Sequence, residues 1–468
     1  MDLLSELALI LTRWRPLFRR HATWVRVSSV LIGLAIAVGR RTVTASLRVR
    51  GRTQESWSGD YMAFARAPWS VDEMMGVVFD TAIETQDQLC PRAPIVIGVD
   101  DTSCRKSSTT IKAAGWMRDP LSPPFHVNLR FGLRFLHFGL LLPLHVHGLE
   151  ARAVTVDFEL APALAKPKRK APPEEHAAWR EAKKKHNLSQ RTVDSIAAMR
   201  KRLDDTGHYD RCLRIVGDSS FVNRIVLRGL PERVELVGRT RKNLALFAPA
   251  PPGGRKVYGE RLPTPEQLRL DPGRPWSQCD VHYGGGCHSV RYKEMSHVLW
   301  QSVTQRRRVR IIVAEPTPFK VPGKRRKAYR EPAYLLTTDL DTPAAELLQS
   351  YFDRWQLEVQ HRDLKTDLGV GQPQVHADLS VARLHTAYAA MWSMVTLAAL
   401  RVLGPNRTAH YPDRPLWYPQ KDGDRPSAPD IAALLRGCLE HQADDIRLKA
   451  LAPHTPTLDA AEYRELVA

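Results

Sequence analysis

Cysteine is scarce in this chain, with six residues among 468. That is too few for a disulfide scaffold in a protein of this length, so we expect free thiols and a reducing compartment. Residues 27–39 form an apolar stretch that is shorter than the roughly 20 residues a bilayer crossing needs. Arg26 and Arg40 bound that stretch, which predicts a buried helix. The N-terminal sequence MDLLSEL lacks the basic region and cleavage site of a secretory signal, so we expect a cytoplasmic protein.

Acidic residues are the minority charge. Fifty Asp and Glu stand against 69 Lys and Arg, which gives a net charge of +19, and the sequence pI is near 9.8. Such a balance is typical of proteins that bind nucleic acid, although basic proteins that never contact DNA also exist. The length allows two or three domains and a sizeable core.

Residues 342–372 predict one long helix. Thr342 and Pro343 are an N-cap and first-turn signal, and no Gly or Pro follows until Gly369. At about 100° per residue, four polar side chains fall on one narrow stripe: Tyr351, Arg354, Glu358 and Lys365. A carboxylate between two cations suits a metal-assisted phosphate site. The alternative is a solvated face with an ordinary Arg–Glu pair.

The spacing Tyr-x2-Arg-x3-Glu-x6-Lys resembles the signature around the catalytic glutamate of DD(E) transposases of bacterial insertion sequences, the cut-and-paste group with a β-strand insertion. All four positions match. The resemblance implies that Glu358 is a metal-binding carboxylate and that Tyr351, Arg354 and Lys365 contact DNA phosphates. Trp355 resembles an aromatic residue that some relatives stack on a base flipped out during hairpin formation.

Two apolar runs of strand length end in acids. The first, PIVIGVDDT, ends with Asp100 and Asp101, and the second, CLRIVGDSS, ends with Asp218. Strand alternation sends Asp100 and Asp101 to opposite faces, so only one of them can point into a given site. By resemblance the Asp directly before Thr is catalytic, which selects Asp101 and leaves Asp100 as the alternative. Asp218 occupies the family's second catalytic position, although an Asp after a strand is often only a helix cap.

We therefore expect an α/β fold: a ribonuclease H-like mixed sheet flanked by helices, with an inserted β-rich subdomain and an N-terminal helical domain. The segment before the Glu helix is too long for an ordinary connection, so we expect it to have structure of its own. The expected divisions are an N-terminal helical domain that is a candidate for binding DNA ends (1–90), a catalytic core in two parts (91–245 and 342–405), the insertion (246–341), and a C-terminal tail with a helical or dimerisation role (406–468).

The resemblance implies a DNA transposase that cleaves at insertion-sequence ends and joins them to a target. Asp101, Asp218 and Glu358 would bind two Mg2+ ions, with Mn2+ as a substitute. The implied partners are double-stranded DNA, as terminal inverted repeats and target, and a second copy in a DNA-bound homodimer. No membrane partner is expected, and the cytoplasmic location would be the nucleoid. Two alternatives stay open: a ribonuclease H-like nuclease without strand transfer, and a non-catalytic basic DNA-binding protein.

Overall fold

The protein is described by a computed structural model that covers residues 2–119, 122–123, 125–162, 164, 166–320, 327–418 and 424–442. Most of the predicted C-terminal helical pattern, residues 443–468, lies outside the described part. The α-helices are α1 (Leu3–Thr12), α2 (His21–Ile36), α3 (Val43–Val49), α4 (Ser58–Ala65), α5 (Val71–Leu89), α6 (Pro173–Lys185), α7 (Leu188–Asp205), α8 (Arg224–Gly229), α9 (Pro265–Leu270), α10 (Ala344–Asp353), α11 (Trp355–Arg362), α12 (Asp378–Leu403) and α13 (Ala428–Gln442). The strands are β1 (Ile95–Arg105), β2 (Gly115–Arg118), β3 (Leu129–Leu142), β4 (Arg152–Leu160), β5 (Leu213–Gly217), β6 (Val234–Arg239), β7 (Leu246–Pro249), β8 (Tyr258–Leu262), β9 (Ser277–Tyr283), β10 (Gly286–Trp300), β11 (Val309–Ala314), β12 (Pro318–Lys320), β13 (Lys327–Tyr329) and β14 (Ala333–Thr337).

One mixed sheet of 12 strands organises the chain. Its path runs β2-β3-β1-β5-β6-β14-β11-β10-β7-β8, with β4 paired to β3 and β9 paired to β10. The pairs β1–β5 and β5–β6 are parallel, and the other pairs of this sheet are antiparallel. The prediction of an α/β fold with a mixed sheet flanked by helices is confirmed.

Both faces of the central strands are buried, and alternation assigns each residue to a face. Ile97 and Val99 of β1 belong to one hydrophobic cluster, whereas Val96 belongs to a second cluster with Val216 of β5 and Leu357 of α11. Burial on both faces explains why these strands read as continuous apolar runs in the sequence. The second cluster marks the face on which α10 and α11 lie.

The helices of residues 3–89 do not form a core of their own. Their apolar residues belong to the same cluster as those of α12 and one face of the sheet. The Tyr388 hydroxyl on α12 lies within hydrogen-bond distance of two carbonyl oxygens, those of Leu34 on α2 (2.9 Å) and of Leu368 after α11 (2.8 Å). Helix α12 is long and apolar enough to cross a membrane, but 83% of its most apolar window is buried inside the protein. It is the central helix of a shared core.

The segment predicted as an inserted β-rich subdomain does contain β7–β14. Its strands join the main sheet, since β14 pairs with β6 and β11 pairs with β14. The edge of β6 that does not pair with β5 carries backbone donors and acceptors that need partners, and β14 supplies them. Only β12 and β13, among the strands described here, pair outside that sheet.

The stretch predicted as one long helix is three consecutive segments. Helix α10 ends before Arg354, α11 follows, and residues Asp363–Asp367 form a π-helical turn. At the break the chain tightens, because the Arg354 amide bonds the Tyr351 carbonyl at 3.3 Å and the Leu357 amide bonds the Arg354 carbonyl at 2.9 Å. The helical path stops at Gly369, whose φ of 59° is left-handed, as the sequence indicates.

Candidate active site

Two aspartates lie next to each other where the parallel pairing of β1 with β5 ends. In the β1–β5 register, Gly98 is opposite Val216 and Val99 is opposite Gly217, so the next residues along the two chains are Asp100 and Asp218. Neighbouring strands are about 4.8 Å apart. Alternation puts Asp100 on the face of Val96, which is the face covered by α10 and α11.

The acid that faces this site is Asp100, not Asp101. The Asp101 carboxylate accepts a hydrogen bond from Arg134 Nε at 2.8 Å, and both residues share the opposite face with Val99. The expectation that selected Asp101 is therefore corrected in favour of the alternative. The expectation that alternation separates the two acids agrees with their positions.

The Asp218 carboxylate is held by the turn that follows β5. Its Oδ1 accepts from the Ser220 amide at 2.8 Å and its Oδ2 accepts from the Ser220 hydroxyl at 3.2 Å. Gly217 lets this turn fold tightly, since a Cβ there would lie 3.0 Å from the Phe221 Cβ. The small residues after the acid thus fix its orientation and leave it partly exposed.

Helix α11 reaches the sheet because two glycines lie beneath it. Gly98 of β1 and Gly139 of β3 are register partners, and both face Leu357. A Cβ on Gly139 would lie only 2.7 Å from Leu357 Cδ1. Leu357 is fully buried, and Glu358, the next residue along α11, keeps 37% of its side chain exposed.

The Arg354 guanidinium lies between Asp100 on β1 and Glu358 on α11. Arg354 Nη1 lies 3.6 Å from Asp100 Oδ2, and its Nη2 donates to Glu358 Oε1 at 2.8 Å. Asp100, Asp218 and Glu358 thus lie at one end of the sheet on one face.

The electrostatics of this cluster reflect its burial. Burial raises the pKa of Asp100 to about 6, with Arg354 opposing that rise and Asp218 adding to it. Burial alone would lower the pKa of Arg354, but Glu358 and Asp100 raise it above its ordinary value. The two acids therefore keep the guanidinium charged.

The remaining predicted site residues surround the same cluster. Burial raises the pKa of Tyr351, and the charges around its hydroxyl include Arg354, Asp218 and Glu358. Lys365 lies in the π turn; burial lowers its pKa, and Asp100 is among the charges that oppose this. Trp355 is 50% exposed, with the Arg330 guanidinium carbon 5.5 Å from its ring centroid.

The donor set suits a hard divalent cation, because it consists of carboxylate oxygens. Burial disfavours the charged form of Asp100, and a cation would relieve that cost. Within the described ranges, no group of three or more His, Cys, Asp and Glu side chains is gathered as a metal site. The Arg354 guanidinium lies between Asp100 and Glu358, so full convergence of the acids requires this side chain to move.

Several contributors to the site are not evident from sequence motifs. Gly139 interrupts an apolar strand, and a glycine there is the one signal that another element approaches closely. Arg134 carries no such signal, because its contact with Asp101 depends on the pairing of two strands distant in sequence. Arg239, at the end of β6, is among the charges near the Tyr351 hydroxyl. Its position also depends on the pairing of strands that are distant in sequence.

No protein-family model matches this chain, and no curated protein matches it. The interpretation of the site therefore rests on its residues and geometry.

Proposed function

We propose that this protein is a DNA transposase that cleaves at the ends of an insertion sequence and joins them to target DNA. The observation that carries the proposal is the approach of Asp100, Asp218 and Glu358 to one another at one end of the sheet. Asp100 replaces Asp101 as the first acid. The Tyr351–Arg354–Glu358–Lys365 spacing and the net charge of +19 support a DNA substrate.

We assign the sheet around β3, β1, β5 and β6 to a ribonuclease H-like core. Strand-end aspartates on parallel neighbours, facing a helix that carries a glutamate, support that assignment. The strands β7–β14 would be the family's insertion, built here as a continuation of the same sheet. A DNA-bound homodimer follows from the need to hold two element ends together.

In phosphoryl transfer, different residues of the chain would bind the metal ions, the phosphate and the bases. Asp100, Asp218 and Glu358 would hold two Mg2+ or Mn2+ ions, which supply a lowered pKa for the attacking hydroxyl or water and stabilise the leaving oxygen. Arg354 would bind phosphate oxygens with two parallel N–H groups. Lys365 would neutralise phosphate charge from the π turn, and Tyr351 would donate to a backbone oxygen. Trp355, half exposed beside Arg354, is available to stack on a base.

The deciding experiment is Glu358→Gln, which keeps the shape of the side chain and removes its charge. We expect DNA cleavage and strand transfer to fall by about a thousandfold or more, since loss of a metal ligand removes several kcal/mol of transition-state stabilisation. Duplex binding, measured by mobility shift, should stay within a few-fold of wild type. Supercoiled plasmid with Mg2+ or Mn2+ gives the cleavage readout.

The exposed Glu181→Gln on α6 is the matched control and should cleave at the wild-type rate. Cleavage without any joined product in the wild-type protein would favour the nuclease interpretation. Wild-type DNA binding with no cleavage under any divalent cation would leave only the DNA-binding interpretation.

A further inference from the structure

Arg354 occupies the space between two of the three acids that the proposed function assigns to cations, Asp100 and Glu358. Its Nη1 is 3.6 Å from Asp100 and its Nη2 is 2.8 Å from Glu358. The side chain is only 15% exposed, so this is not a solvated surface pair. In this state the positive charge between Asp100 and Glu358 is supplied by the chain itself.

A guanidinium and a divalent cation compete for the same carboxylate oxygens. Arg354 Nη2 donates to Glu358 Oε1 and its Nη1 lies 3.6 Å from Asp100 Oδ2, so a divalent cation that enters between these carboxylates meets a positive charge that repels it. The apparent affinity for the cation is then reduced by the fraction of molecules in which Arg354 has moved away.

The backbone around Arg354 allows such a movement. Arg354 is the residue at which α10 ends and α11 begins, and its amide bonds the Tyr351 carbonyl in a tight turn rather than a regular helical bond. Glu358, which accepts a hydrogen bond from the guanidinium, keeps 37% of its side chain exposed, so the protein surface begins at this ion pair. A DNA phosphate arriving at this surface offers the charged, bidentate partner that arginine binds best.

We propose that Arg354 guards the cation site: it neutralises Asp100 and Glu358 in the free protein and exchanges to a DNA phosphate when the substrate binds, which admits the divalent cation. This role rests on the proposed function and adds to it a coupling between DNA and metal. Linkage requires the coupling to be reciprocal, so DNA tightens cation binding and the cation tightens DNA binding. Couplings of this kind are typically about 5- to 150-fold.

The test measures Mn2+ binding to the full-length protein by titration with detection of free Mn2+ by electron paramagnetic resonance, without DNA and with a mixed-sequence duplex. In the free protein, Arg354→Gln should bind Mn2+ at least about tenfold more tightly than wild type. The duplex should tighten Mn2+ binding to wild type and leave the affinity of Arg354→Gln nearly unchanged. Thermal unfolding of each variant checks that it is folded, and Arg354→Lys, which keeps the charge, should lie between the two.

Two controls separate the guard role from simple removal of a positive charge. Lys365→Gln removes a cation near Asp100 that makes no such bridge, so it should tighten Mn2+ binding much less. Arg291→Gln removes an exposed cation paired with Glu315 and should change nothing. Adding Asp100→Asn to Arg354→Gln should abolish the tight binding, which identifies the ion as the one in this site.

The outcomes distinguish the guard role from the proposed function itself. Equal Mn2+ affinities for wild type and Arg354→Gln, both lost with Asp100→Asn, would overturn the guard role and leave the metal site standing. Mn2+ binding that is insensitive to Asp100→Asn in both proteins would overturn the metal site and the guard role together.

Discussion

Two adjacent aspartates in this protein have the same side chain and opposite surroundings. Asp100 faces Arg354 and the helix that carries Glu358, and burial raises its pKa to about 6. Asp101 forms an ion pair with Arg134 on the other face, where both side chains are about one-third exposed. The chemistry that each can perform is decided by the face of the strand rather than by the residue type.

The pair permits a matched comparison. We expect Asp100→Asn to lower DNA cleavage by about a thousandfold or more, as for any metal ligand, and Asp101→Asn to stay within about tenfold of wild type. The exposed Asp101–Arg134 pair contributes at most about 1 kcal/mol, so that variant should also unfold near the wild-type temperature. Initial rates of plasmid nicking measure the effect. Equal losses in the two variants would contradict the assignment of Asp100.

At the residue scale, the sequence identifies Asp100 and Asp101 as candidates for the first acid of the site but does not decide between them. The pattern of an apolar run followed by two acids predicts a strand end with one inward carboxylate. One carboxylate does face inward, but β1 continues to Arg105, and only its parallel pairing with β5 ends at the acids. The choice depends on which face α11 covers. Residues Gly98, Gly139 and Leu357 decide it through contacts between elements that are remote in the chain.

At the scale of elements, the close approach of α11 to the sheet positions Glu358. Helix α11 lies over Gly98 and Gly139, where side chains would hold it away. Sequence signals located this helical region to within one residue: the N-cap is Pro343 rather than the predicted Thr342, and Gly369 marks the other end. The break at Arg354 and the π turn after Arg362 could not be predicted, since both arise where the helix adapts to its contacts with the sheet.

Gly139→Ala tests the importance of that approach. The added Cβ would meet Leu357 Cδ1 at 2.7 Å, so we expect a loss of about 1–3 kcal/mol in the free energy of unfolding. The cleavage rate should fall by more than the loss of folded protein explains, because a displaced α11 carries Glu358 away from Asp100. Gly98→Ala is the control, because its Cβ would meet Leu357 at an ordinary 3.5 Å. Chemical denaturation and nicking rates are the two measurements, and similar effects of both variants would contradict the role of Gly139.

At the scale of the whole molecule, one buried network joins the sheet to α12. The Lys106 ammonium donates to the carbonyl oxygens of Gly371 at 2.8 Å and Pro373 at 3.0 Å, and it lies 2.9 Å from His385 Nε2. His385 Nδ1 is 3.0 Å from the Val381 carbonyl, so the neutral ring donates there and accepts from Lys106. Burial, aided by the Lys106 charge, lowers the pKa of His385 to about 3.

The contribution of His385 to stability should therefore be lost in mild acid. A histidine whose folded pKa is depressed contributes stability that is present above its unfolded pKa of about 6.5 and is lost as pH falls toward about 3. For His385 this amounts to about 2 kcal/mol between pH 7 and pH 5. The buried His361, with a pKa lowered to about 3 by burial, adds to the loss in the same direction.

Urea denaturation at pH 7, 6 and 5 measures this dependence. His385→Gln should be less stable than wild type at pH 7 and lose about 2 kcal/mol less on going to pH 5. As a control, His186→Gln shows how replacing an exposed histidine outside this network changes the free energy of unfolding. An unchanged pH dependence in His385→Gln would contradict the assignment.

The architecture as a whole was predictable only in part. Apolar runs and capping residues predict the α/β mixture, but the sequence suggested a separate insertion and a separate N-terminal domain. In the fold β14 continues the sheet at β6, and helices α1–α5 share the core of α12. Strand pairing and shared cores depend on contacts across the whole chain, which local patterns do not encode.

The Lys106 contacts also bear on how the chain can vary in length. Lys106 directly follows the strand that carries Asp100, and the Gly371 and Pro373 carbonyls that it contacts lie in the loop after the helical segment that carries Glu358. The Lys106 ammonium thus ties the end of β1 to the loop after this helical segment, whatever the length of polypeptide that separates them. We therefore expect changes in the length of the loops between β6 and β14 to leave this tie intact.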